Sequence, residues 1–243
     1  MPALLPADSV NSQAAIGYWL IVAAAGGGRR FGSGVPKQYS PLAGRSVIEW
    51  ALAPFLDDAR CNGVVVALAP DDHWFETLSL ARHPRLSTVA GGRERGDSVR
   101  RALEALPAAE SDWVLVHDAA RPCVSVAEID ALLGAAAEEI GAVLAVPVAD
   151  TLKRSDAGHV IGTEDRAALW RALTPQMFRV GLLRSALAQA SKAGRAPTDE
   201  SQAVEWLGHQ PRLVHGSTRN IKVTEPGDLA LAEFMLSHGR PAS

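Results

Sequence analysis

Between Ala23 and Tyr39 the chain reads AAAGGGRRFGSGVPKQY, which places glycines beside Arg29, Arg30 and Lys37 directly after the apolar run YWLIV. This is a composition suited to phosphate. Glycines let backbone N–H groups approach an anion closely, while Arg and Lys add donors and positive charge. Two familiar glycine templates fail in detail. G-x-G-x-x-G counted from Gly26 meets Phe31 at its third glycine, and counted from Gly27 it meets Arg29 at its second. G-x-x-x-x-G-K-[ST] fits Gly27 and Gly32, then meets Ser33 and Gly34. A solvated, glycine-rich strand exit is the competing reading. A second chemical candidate is Asp118, at the end of the apolar WVLVHDA. A carboxylate there can ligate Mg²⁺, which takes few carboxylates beside substrate phosphate oxygens, or it can act as a cap or salt-bridge partner. His117 has no second metal ligand at useful spacing and reads as structural. Ser98, in GGRERGDSV, can cap a helix or donate to a ligand at a helix start.

These residues need a scaffold, and the apolar runs supply one. YWLIVAA (18–24), GVVVALA (63–69), WVLVHDA (113–119) and GAVLAVPV (141–148) are short, rich in β-branched residues and without polar alternation, so each is predicted to be a strand buried on both faces. Helical patterns separate them. SVIEWALAPFL places Val47, Trp50, Ala51 and Pro54 along one face, with Pro54 ending or bending the helix. DSVRRALEAL aligns Val99, Ala102, Leu103 and Leu106 behind the caps Asp97 or Ser98, and VAEIDALLGAAAEEI is a further helix. The alternation predicts an α/β fold with an open, mostly parallel sheet flanked by helices. It breaks at Pro147–Gln176, where DTLKR and HVIGT flank SDAG and predict a projecting β-hairpin arm at about 148–172. A helix near 179–193, a strand at RLVHG and a last helix in DLALAEFMLSHG follow. Residues 1–17 lack periodicity and read as a flexible extension, and 18–243 as a single domain.

A chain of 243 residues can bury a large core, and a formal charge of −3 gives no global pull towards nucleic acid or anionic membrane. Nucleic-acid and membrane partners are therefore not expected. Cys61 and Cys123 have no metal spacing and suggest no disulfide scaffold, which favours a cytoplasmic location.

The glycine stretch resembles the A-A-G-x-G-x-R…P-K-Q-Y signature of 2-C-methyl-D-erythritol 4-phosphate cytidylyltransferases, within the wider sugar-nucleotidyltransferase group. GGRERGDSV, VHDAARP, PVADTLKR, ALTPQMF, TDE and NIKVTEPGDL resemble further segments of that family in the same order, from about residue 19 to 236. The resemblance implies a Rossmann-like nucleotidyltransferase sheet and transfer of the cytidylyl group of CTP to 2-C-methyl-D-erythritol 4-phosphate, with release of pyrophosphate, in the non-mevalonate isoprenoid pathway. A phosphate attacking a triphosphate must overcome like-charge repulsion, so cations, a divalent metal and positioning groups should carry the catalysis.

By the same resemblance Arg30, Lys37, Arg166 and Lys222 are the catalytic cations, the first two on the triphosphate and the last two on the attacking phosphate. Ala24, Ala25, Gly26, Gly28, Gly91, Gly92, Ser98 and Ala119 bind CTP. Asp118, Arg121, Thr151, Thr174 and Thr198 bind the acceptor, Asp118 also holds Mg²⁺ or another divalent cation, Asp150 matches a further position around the acceptor, and Asp199 supports its loop. Arg93 and Arg219 stand where relatives carry acidic residues, which weakens a side-chain contact to the base and a second metal carboxylate. The arm implies a homodimer in which an arginine completes the neighbour's site. A cytidylyltransferase for another polyol phosphate, such as ribitol 5-phosphate, and a non-catalytic nucleotide-binding module are the alternatives.

Overall fold

The computed structural model describes residues 16–26, 34–136 and 140–238. Gly28, Arg29, Arg30 and nearly all of the expected N-terminal extension lie outside the described residues. Ile16, assigned to that extension, packs against the main core.

In chain order the elements are β1 Tyr18–Ala24, a 3-10 turn Lys37–Tyr39, β2 Pro41–Leu42, β3 Arg45–Ser46, α1 Val47–Leu56, β4 Cys61–Leu68, 3-10 turns Phe75–Thr77 and Ser79–Arg82, β5 Leu86–Ala90, α2 Arg95–Ala105 and β6 Trp113–Asp118. Then come α3 Val126–Ala136, β7 Gly141–Pro147, β8 Lys153–Asp156, β9 His159–Thr163, β10 Trp170–Arg179, α4 Val180–Lys192, α5 Glu200–Glu205, β11 Arg212–His215 and α6 Gly227–His238. Seven strands form one sheet in the order β11-β7-β10-β6-β1-β4-β5, parallel except for β10. No helix among the described residues is long and apolar enough to cross a membrane.

Strand periodicity sends alternate residues to opposite faces, and both faces are covered. Leu20 and Val22 of β1, Val64 and Val66 of β4 and Leu115 of β6 face one cluster with Ile48, Leu52 and Phe55 of α1 and Ile129 and Leu132 of α3. Ile21, Val65, Val114 and Val116 face the other, with Val99, Ala102 and Leu103 of α2 and Leu183 and Leu187 of α4.

Three local expectations are corrected. Helix α1 runs two residues past Pro54 and buries Val47, Ile48, Ala51, Leu52 and Phe55, so Trp50 and Pro54 sit at the margin of the apolar face. Its start is held by a capping box in which Ser46 N–H and hydroxyl donate to Glu49. Helix α2 starts at Arg95 behind Glu94, which places Asp97 and Ser98 inside the helix rather than at its cap. The third correction is β10, a central antiparallel strand in a segment read as the end of the arm. Its pairing with β7 shifts between Ala172 and Gln176, around the cis Thr174–Pro175 bond. A proline cannot donate to the ladder, and here it occupies that irregularity. The arm itself is the two-stranded β8–β9 sheet, turning at Ala157 and Gly158, both at positive φ.

Candidate active site

Parallel pairing levels the carboxyl ends of three strands, with Ala23 opposite both Asp118 of β6 and Ala67 of β4. Ligands of open α/β sheets bind beyond this edge. A cleft of about 170 Å³ opens there. Of the residues selected from the sequence it brings together Ala24, Ala25, Gly26, Lys37, Gly92, Ser98, Asp118, Ala119 and Lys222. Lys37 begins a 3-10 turn whose next residue, Gln38, is buried and donates to the Ala24 carbonyl at 2.9 Å. That bond ties the end of the glycine stretch back to β1.

Gly91 and Gly92 are required by close approach. A Cβ on Gly91 would lie 2.4 Å from that of Ala25, and one on Gly92 would lie 2.2 Å from that of Asp97. The Gly91 N–H donates to the Leu68 carbonyl, and the Gly92 N–H donates to Ser98 Oγ. The Ser98 hydroxyl in turn donates to the Glu94 carbonyl. Ser98 therefore fixes this turn from within α2.

Asp118 is the electrostatic centre. Arg95 Nε donates to Oδ1 at 3.0 Å, Lys222 Nζ donates to Oδ2 at 2.8 Å, and Arg121 Nε stands 3.6 Å from Oδ2. Burial by itself would drive the carboxyl towards its neutral form, but Arg95, Lys222 and Arg121 together hold it well below the usual carboxylate range. It is an ionised carboxylate among cations.

Beneath it lies a polar support. The Asp118 N–H donates to Thr174 Oγ1 at 3.1 Å, and Thr174 Oγ1 is 3.0 Å from His117 Nδ1. His117 Nε2 lies 3.1 Å from the Arg121 carbonyl, an acceptor only, so Nε2 carries the proton and Nδ1 accepts from the threonine hydroxyl. Burial pushes His117 down to about 4, so the ring is neutral at neutral pH. His117 is structural, as its isolation in the sequence suggested, and the Thr174 hydroxyl is committed within the protein.

The strand-like loop carrying Lys222 is pinned in the same way. Asn220 Nδ2 donates to the Thr174 carbonyl at 2.9 Å and to Glu128 Oε1 at 3.2 Å, and the Asn220 carbonyl accepts from Arg121 Nη1 at 2.7 Å. Glu128 Oε2 accepts from the N–H and hydroxyl of Ser125, closing a capping box on α3, while Oε1 also accepts from the Ser217 N–H. Arg121 is thus a buried strut to Asn220. Arg219 turns away to the Met235 carbonyl of α6, and Arg93 stays exposed at the cleft wall.

Among the described residues, those selected from the acceptor segments other than Asp118 and Lys222 do not line this cleft. Thr151 and Asp150 are exposed before the arm, and Arg166 is exposed after it, donating to the Ala149 carbonyl. Thr198 is exposed, and Asp199 caps α5 by accepting from the Gln202 N–H. Among the described residues no cluster of three or more His, Cys, Asp or Glu could hold a metal ion.

The sequence profile of the IspD family, 2-C-methyl-D-erythritol 4-phosphate cytidylyltransferase, matches residues 18–238. The chain belongs to this family. It is 49% identical over 221 residues to the 2-C-methyl-D-erythritol 4-phosphate cytidylyltransferase of Vibrio vulnificus, covering 89% of this chain and 93% of that one. It is 50% identical over 218 residues to that of Ectopseudomonas mendocina, covering 88% and 93%. Among solved structures, the enzyme of the same name from Francisella tularensis superposes with a TM-score of 0.79 at 33% identity, covering 90% of this chain and 99% of that one.

For an IspD-family chain, the most informative residues are ones the motifs contained without marking. Arg95, Gln38, Glu200 and Asn220 all lie inside the quoted segments, yet their partners stand 105 residues away in one case and 92 in another. Motif membership was the only signal for them.

Proposed function

We propose that this chain transfers the cytidylyl group of CTP to 2-C-methyl-D-erythritol 4-phosphate, releasing pyrophosphate, in the cleft around Asp118. The observation that carries this reading is the cation-ringed carboxylate at the carboxyl edge of β6, facing the end of the glycine stretch and Lys37 across one cleft. Attack by one anion on another needs charge neutralised and oxygens aligned. Lys37, with Arg30 from the same stretch, serves the triphosphate. Lys222, whose side chain keeps 40% of its surface exposed, serves the incoming phosphate. The turn at Gly91 and Gly92, fixed by Ser98, offers backbone against which a flat base can lie, together with Ala24, Ala25, Gly26, Gly28 and Ala119.

Asp118 fits a divalent cation. It stays ionised, it lies at the cleft, and Mg²⁺ takes most of its ligands from phosphate and water rather than from a protein cage. When bound, the cation would neutralise triphosphate charge. Lys222 would then release Oδ2 and turn to the acceptor phosphate, with Thr151 and Thr198 as further hydroxyl partners and Thr174 positioning Asp118 from below.

Arg166, in the loop that follows the arm, acts in the site of a second subunit. Val160 and Ile161 on β9 are 65% and 60% exposed, apolar surface that a homodimer would cover. The test is pyrophosphate release across a matrix of nucleotides and polyol phosphates with and without Mg²⁺. Turnover confined to CTP, methylerythritol phosphate and Mg²⁺ is the expected result; equal turnover of ribitol 5-phosphate, or none at all, would refute it.

A further inference from the structure

Arg95 touches two carboxylates from distant parts of the chain. Its Nε donates to Asp118 Oδ1 at 3.0 Å and its Nη1 donates to Glu200 Oε1 at 2.5 Å. Glu200 is wholly buried and Asp118 nearly so. Apolar residues of similar volume often serve stability as well as a buried ion pair does, so packing alone gives Glu200 little reason to be there.

The two Asp118 oxygens are also held unequally. Oδ1 meets Arg95, which is itself anchored on Glu200, whereas the one hydrogen bond to Oδ2 comes from Lys222 on a long, partly exposed stem, with Arg121 Nε farther off at 3.6 Å. We propose that Arg95 and Glu200 are a positioning pair: Glu200 fixes the guanidinium, the guanidinium fixes Oδ1, and Asp118 is thereby aimed so that only Oδ2 exchanges its partner as metal and nucleotide arrive. The pair has a second consequence. Arg95 opens α2 three residues after Gly92, and Glu200 opens α5 two residues after Thr198, so one ion pair links the nucleotide side of the cleft to the acceptor segment. This inference rests on the reading of Asp118 as the metal carboxylate.

Removing both charges separates positioning from structure. Arg95→Gln alone leaves two carboxylates facing each other and is expected to lower both Tm and kcat. In R95Q/E200Q the buried charge disappears with its partner, so Tm recovers towards wild type. Turnover and the Mn²⁺ affinity of the enzyme–CTP complex, read by electron paramagnetic resonance, should stay about 10- to 100-fold down, the usual loss when a ligating carboxylate loses its outer partner. Arg95→Lys keeps the charge but loses the two-pronged fork, and should remain roughly tenfold down with Tm little changed. A double variant with wild-type kcat and Mn²⁺ affinity overturns the proposal. Should that variant not fold, Glu200→Gln alone decides, with weakened Mn²⁺ affinity supporting the pair and unchanged affinity overturning it. Asp118→Asn separates the two readings. If it leaves Mn²⁺ affinity and turnover intact, the assignment of Asp118 falls; if it abolishes both while R95Q/E200Q keeps them, only the positioning pair falls.

Discussion

Asp118 stands at the end of a strand buried on both faces and has charged or hydrogen-bonded neighbours on every polar atom of its side chain, whereas Arg166 follows a hairpin whose two strands pair only with each other. The cleft is over-determined: Thr174, His117, Arg121, Asn220 and Glu128 form one connected polar support beneath it. On the arm, Arg154 pairs with Glu164 in solvent, and Val160 and Ile161 are left uncovered. Linked polar groups in an interior rigidify it, while an isolated two-stranded hairpin is marginally stable without outside cover. The difference teaches that the cleft is made rigid within a single chain, whereas the arm carries apolar surface that the proposed homodimer would cover.

The sharpest way to break that comparison is to remove charge from the cleft without touching its support. Lys37→Met should lower kcat by about 10²- to 10³-fold, as loss of one preorganised electrostatic group does, with Tm within a few degrees of wild type; steady-state pyrophosphate release and a thermal melt check it. The support itself should show in pH. His117 is held at about 4 in the fold against 6.5 when exposed, so the unfolded chain binds the extra proton between those values. Its contribution is complete above pH 6.5 and shrinks as pH falls towards 4, by about 3 kcal/mol in all. Urea unfolding from pH 4.5 to 7 should show this slope in wild type and lose it in His117→Asn.

On the arm, Ile161→Asp should raise the Kd of the proposed homodimer at least about tenfold, or ~1.4 kcal/mol, with the monomer's melt unchanged. Sedimentation velocity over a dilution series measures it. Smallest of all, Arg154→Ala should leave both dimer Kd and Tm where they are, because exposed pairs are screened and entropically offset. A clear rise in that Kd or drop in Tm would mean that the pair holds the arm more firmly than its exposure suggests.

The strands β1, β4, β6 and β7 were legible because residues buried on both faces must be apolar throughout, and only such runs occur there. Strand β10 was not legible. TPQMF carries a proline, and β10 lies antiparallel between two parallel strands, an arrangement that depends on where the arm returns the chain and not on local pattern. Edge strand β5, LSTVA, is half exposed and short, so it left little trace in the sequence. The start of α2 was displaced by three residues because Asp97 and Ser98 have good capping chemistry, yet Ser98 is used to hold the Gly92 turn.

The sequence by itself determined the alternation of elements, the glycine stretch with its cations, and the ordered motifs that place this chain in its family. Those features are local, or repeat along the chain, and local chemistry is enough to write them. Only the tertiary structure decided that Thr174 supports Asp118 from beneath, that Arg121 is a strut, and that Arg95 joins Asp118 to Glu200. The physical reason is distance along the chain: a hydrogen bond is set by a few ångströms in space, and the sheet brings residues separated by a hundred positions to that distance at its carboxyl edge.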